Sequence, residues 1–150
     1  MKNNYYDIAY NDLLYLEEDY HKTNYNPMVV QMQQIAEKML KSVLVLVQTN
    51  IESLLHSHNL RQIYYSIHDV VPTFELDEME LGYLKDFYFE SKYPGENFIT
   101  VSRTQCTKCL QIMYRVILEV NEFRSENNLE TYEVTEKFLK DKSERITSFD

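Results

Sequence analysis

Residues 31 to 47 carry the feature that most narrows the folds open to this chain. Met32, Ile35, Ala36, Met39, Leu40, Val43, Leu44 and Val47 recur at steps of three and four, which gathers them on one side of an α-helix. Such a stripe needs a core to face. Gln33, Gln34, Glu37, Lys38 and Lys41 occupy the remaining positions, predicting a mixed amide and charged surface that core formation does not require. That surface is the first place to look for function.

The same period recurs along the chain. Tyr6, Ala9, Tyr10, Leu13, Leu16 and Tyr20 predict a helix from Tyr5 to about Tyr20. Asn26 as cap and Pro27 at the first helical position predict that the central helix starts there and runs to about Gln48. Residues 49–57 then read as a turn. Leu60, Ile63, Tyr64, Ile67, Val70 and Val71 predict a third helix, stopped by Pro72. Thr73 is the expected cap of a fourth, built on Leu76, Tyr83, Leu84, Phe87 and Tyr88 and ending near Ser91.

Lys92-Tyr93-Pro94-Gly95-Glu96-Asn97 is a loop signature, because Pro94-Gly95 suits a tight turn and Tyr93 is pushed from helical angles by the following proline. Ser102 with Gln105 forms a capping box opening a fifth helix, whose apolar stripe is Cys106, Cys109, Leu110, Met113, Ile117 and Val120 and which ends near Glu126. Only two Gly and three Pro occur in the whole chain, which disfavours a turn-rich β architecture. The expected fold is therefore all-α: an up-and-down bundle of about five antiparallel helices over residues 1–126. Residues 127–150 are a charged C-terminal extension in which Tyr132, Val134, Phe138 and Leu139 can form a short docked helix.

Charge and cysteine usage narrow the function. The 15 Lys and Arg against 24 Asp and Glu give a formal charge of −9, which argues against a nonspecific coat on duplex nucleic acid but leaves room for a local basic site. No apolar run approaches the roughly 18 residues that span a bilayer, and no signal-peptide core is present, so the expected location is the cytoplasm without membrane attachment. Cys106 and Cys109 form a single Cys-x-x-Cys pair on an apolar stripe, too few thiolates for a structural zinc site and better read as reduced core thiols. No metal and no cofactor is expected.

Gln33-Gln34-Ile35-Ala36-Glu37-Lys38-Met39-Leu40-Lys41, followed by His58-Asn59-Leu60 and then Lys92-Tyr93-Pro94-Gly95, resembles the HEPN domain family over about Tyr5 to Phe123. The resemblance implies a helical bundle that forms homodimers, binds a nucleotide or RNA, and often works beside a small nucleotidyltransferase as its partner protein. Other members are toxin-type, metal-independent ribonucleases marked by an Arg, four to six residues and a His on a late helix. Here no His follows His68, and Lys92 stands where many relatives carry an Arg.

The chemistry of such a nuclease needs a base for the ribose hydroxyl and a cation on the phosphate, and Arg61 with His68 has that spacing on the third helix. A solvated helix face with a coincidental spacing is the simpler explanation, which leaves the pair a secondary candidate. Gln34, Lys38 and Lys41 share a face and are candidates for nucleotide contact, against the plainer reading of a surface with Glu37 and Lys41 paired. His58 can touch a ligand or merely start its helix. Lys92, Tyr93 and Arg103 lie at or near the predicted start of the fifth helix, where backbone N–H groups can receive a phosphate.

Overall fold

The computed structural model describes residues 4–20, 24–92 and 100–134. Among them are six helices and no strand: α1 (Tyr5–Asp19), α2 (Asn26–Val47), α3 (Glu52–Leu55), α4 (Leu60–Val70), α5 (Glu78–Lys92) and α6 (Arg103–Glu126). No helix among these residues is long and apolar enough to cross a membrane.

The central element is α2, which packs against α1, α4, α5 and α6. Met32, Ile35, Ala36, Leu40, Val43 and Leu44 are fully buried, as the stripe predicts. Leu13 and Leu16 of α1, Leu60 and Ile63 of α4, Leu84 of α5 and Met113 of α6 close around them. Each such side chain stabilises the bundle by about 1.5–3 kcal/mol relative to exposure. Cys106 and Cys109 are free thiols in this core. Burial pushes the Cys106 thiol up to about 12 and raises Cys109 as well.

Helix directions follow from side-chain ties. Tyr6 of α1 and Tyr20 just after it bond to Asn121 and Thr107 of α6, and Asn26 of α2 meets Val101 before α6, so α1 is antiparallel to both α6 and α2, with Lys38 tied to Asp12 between them. Glu80 meets Arg115 and Lys108 covers Tyr83, so α5 also opposes α6. One joint departs from simple alternation. Gln33 bonds to the His58 carbonyl and Gln48 to the Ser66 carbonyl, so α4 runs with α2. The connection 48–59, which includes the single turn α3, carries the chain back along α2 before α4 begins. The predicted turn therefore holds a helical turn of its own.

The caps sharpen three boundaries. The Ser102–Gln105 capping box is present in both halves. Asn26 does not cap α2; it is already helical, and its Oδ1 accepts from the Val101 N–H at 2.8 Å, tying the start of α2 to the segment before α6. Thr73 does not cap α5 either. Phe74 is turned into the core, 1% exposed, which requires a non-helical turn there, and α5 starts after Asp77, whose Oδ1 accepts from the N–H groups of Met79 and Glu80.

Beyond α6, Asn128 takes a left-handed φ of 59° that turns the chain back, and residues 129–134 return along α1 without helical structure. Tyr132 docks, as its apolar character predicts, but in a strap rather than a helix through Val134. Phe138 and Leu139 lie outside the described residues.

Candidate functional site

Gln33, Glu37 and Lys41 stand at steps of four on α2, on a face turned toward the start of α4. This face is not the open surface that the periodicity predicts. The three residues are 0%, 7% and 4% exposed, because a helix with neighbours all round covers part of its polar side as well as its apolar stripe. Burial of charge is costly unless each group is paired, and each is. The Glu37 carboxylate accepts from Lys41 Nζ at 2.9 Å, from His58 Nδ1 at 2.8 Å and from Gln33 Nε2 at 3.4 Å.

His58 is held twice by α2, through its ring on Glu37 and through its carbonyl, which accepts from Gln33 Nε2 at 3.0 Å. A carboxylate only accepts, so Nδ1 carries the proton and Nε2 is left as the ring's remaining polar atom. Tyr88 of α5 backs the imidazole at 5.8 Å, yet the side chain stays 53% exposed. The arrangement is a buried ion pair ending in a half-exposed imidazole of fixed orientation. Gln33 Oε1 is buried without a partner. Reversing the amide would aim that oxygen at two acceptors, so the orphan is the lesser cost, about 1–3 kcal/mol.

Next to His58, the Asn59 side chain caps α4 by accepting from the N–H groups of Arg61 and Gln62. The Arg61 guanidinium then lies along Gly82 of α5, where an added Cβ would sit 3.5 Å from it. Its Nε is buried with no hydrogen-bond partner. The Asn26–Val101 bond brings the starts of α2 and α6 together, while α4 starts beside Gln33 and Glu37, about two to three turns along α2. His58 and Arg61 belong to the start of α4 and Arg103 to the start of α6, and each positive helix-dipole end favours negative charge.

A family model described as HEPN domain matches residues 3–123. The chain belongs to the HEPN domain family. No curated protein and no solved structure matched it. The matched stretch holds all six helices except the last turn of α6, and the Tyr132 strap lies beyond it.

Within this HEPN domain the candidates separate. Arg61 and His68 lie two turns, roughly 10 Å, apart along α4, the separation their spacing predicts. His68 Nδ1 is 2.9 Å from the Phe74 carbonyl, and Tyr64 OH beside it accepts from the Leu76 N–H, so both hold the turn between α4 and α5. Lys38 pairs with Asp12 on α1 while Lys41 turns inward to Glu37, so Gln34, Lys38 and Lys41 do not form one open face. Arg103 is exposed at the first position of α6. Lys92 ends α5, and its side chain lies outside the described residues, as does Tyr93.

The Glu37–Lys41 pair is present as the spacing predicts, but its burial and the hold of Glu37 and Gln33 on His58 are what sequence reasoning passed over. Their signal was present as a step of four within a helix rich in apolar positions, but periodicity alone reads such residues as surface.

Proposed function

We infer that this HEPN domain is a binding module for a nucleotide or RNA, met where α4 begins beside Glu37 of α2. The carrying observation is the Glu37–Lys41 pair that holds His58 half exposed beside Arg61. Holding one imidazole with a buried ion pair and a second α2 side chain is more than helix capping requires, since Asn59 already caps α4. The Arg61 guanidinium supplies donors for phosphate oxygens and His58 Nε2 accepts from a ribose hydroxyl or a base N–H, with Arg103 and Lys92 as further contacts.

A cytoplasmic homodimer with a small nucleotidyltransferase as partner protein belongs to this reading, on the strength of the family resemblance. The nuclease alternative loses support from the structural duty of His68, whose Nδ1 is committed to the Phe74 carbonyl.

The test is fluorescence anisotropy of a labelled single-stranded RNA, competed with mononucleotides, for the wild type, His58→Ala and His68→Ala. Binding that weakens at least about tenfold in His58→Ala and is kept in His68→Ala supports the reading. Equal binding by all three contradicts it. RNA cleavage in EDTA that His68→Ala abolishes would restore the nuclease.

A further inference from the structure

The strap after α6 lies on α1 with a definite heading. Leu129 shares a cleft with Asn4 and Tyr5, and the Tyr132 ring stacks on Tyr6 at 5.5 Å and on Tyr10 at 4.3 Å, so the strap advances toward the end of α1. It is fixed in that path. The Tyr132 hydroxyl donates to Asp7 Oδ1 at 2.8 Å, its N–H donates to Tyr6 OH, and Asn121 Nδ2 donates to its carbonyl. Arg124 Nε holds the strap one step earlier, at the Glu130 carbonyl.

Ahead of Tyr132 the same face of α1 continues. Asp7, Tyr10, Leu14, Glu17 and Glu18 follow one another at steps of three and four, so they share that face. The strap covers its first half and leaves the second bare. Asp7 is buried and Tyr10 half-buried, whereas Leu14 is 44% exposed and Tyr15 beside it 59%. Glu17 is half-buried, and desolvation pushes its carboxyl above the usual range. Among the described residues no cation is paired with it. A partly dry carboxylate in that position calls for one.

The chain supplies both lacking groups immediately after Val134, in Thr135-Glu136-Lys137-Phe138-Leu139-Lys140. Two apolar side chains stand between two lysines. Leu14 and Glu17 lie about 6 and 10 Å beyond Tyr10 along α1, while the step from Tyr132 to Phe138 spans about 9 Å coiled and about 20 Å extended. Either conformation reaches. We propose that residues 135–140 occupy this face of α1, with Phe138 against Leu14, Leu139 toward Tyr15, and Lys137 and Lys140 supplying the cation for Glu17. The family match ends at residue 123, so this latch is an addition that the chain makes to the HEPN bundle. It closes the outer face of α1, which leaves other faces for a second copy or a partner protein. The proposal does not rest on the reading of His58.

The experiment is nuclear Overhauser NMR on the full chain with labelled Leu methyl groups. Cross-peaks should join the Phe138 ring to the Leu14 methyls and vanish in Phe138→Leu. Their absence from the wild type overturns the proposal. A mixture of labelled and unlabelled chains, filtered for contacts between chains, separates the occupants, and peaks found only between chains overturn the chain's own tail in favour of a second copy's. The charge is read at Glu17 by carbon-detected titration. In Lys137→Gln/Lys140→Gln its carboxyl should titrate higher by about half a pH unit or more, while Glu119 on α6 stays in place. An unmoved Glu17 overturns the pairing.

Discussion

At the scale of single residues, Glu37 concentrates the cost and the purpose of the site. Its carboxylate balances Lys41 in a buried pair, and removing one member of such a pair leaves the other charged and dry. Glu37→Ala should therefore lower unfolding free energy by about 3–5 kcal/mol. Lys38→Ala, which breaks a partly exposed pair with Asp12, should cost less than about 1 kcal/mol. Urea unfolding of the two variants checks the contrast, and equal losses would mean that burial does not set the scale. The thiols make a second residue-level prediction. Burial raises Cys106 from 9.0 to about 12, so the unfolded chain sheds its proton first as pH rises. The thiol's contribution to stability is whole below about pH 9 and is lost between there and about 12, with Cys109 acting in the same direction. The urea midpoint should fall across that window, and it should fall less in Cys106→Ala.

At the scale of elements, cap positions decide where α5 begins. Asp77→Ala removes the acceptor for two N–H groups and should cost about 1 kcal/mol, whereas Thr73→Ala should stay within about 0.5 kcal/mol. Thermal unfolding of the pair locates the cap. The same comparison explains what was legible beforehand. Apolar steps of three and four and the Ser102–Gln105 box are local, so α1, α2, α4 and α6 could be read within a few residues of their bounds. Thr73 misled because a capping residue is recognised by type, while the burial of Phe74 that displaces the helix start is a tertiary fact. The path of 48–59 was hidden for a like reason: it depends on Gln33 reaching His58, a contact between separate elements. Docking of Tyr132 was legible from its apolar character, but the extended path of the strap was not, since its N–H bonds to a hydroxyl 126 positions away in sequence. Of the site, His58 was legible as a lone polar residue opening a helix, but its Glu37 partner was not.

At the scale of the whole molecule, the helix starts place the charge. His58 and Arg61 sit at the start of α4 and Arg103 at the start of α6, while Glu75, Asp77, Glu80, Glu119 and Glu122 line a cleft with Arg115 near the start of α5. In a chain of net charge −9 the two arginines, Arg61 and Arg103, supply local positive charge for an anion. RNA binding at the start of α4 should weaken steadily with added salt, as phosphate contacts do, and anisotropy at several ionic strengths reads the slope. A flat response would remove phosphate from the account. The most direct test of the central claim follows the four histidine rings by carbon–proton correlation NMR while single-stranded RNA is added. With RNA bound beside His58, the His58 ring signal should move and saturate while His68, held on the Phe74 carbonyl, stays in place. RNA binding that leaves His58 unmoved, or that shifts His68 instead, would contradict it.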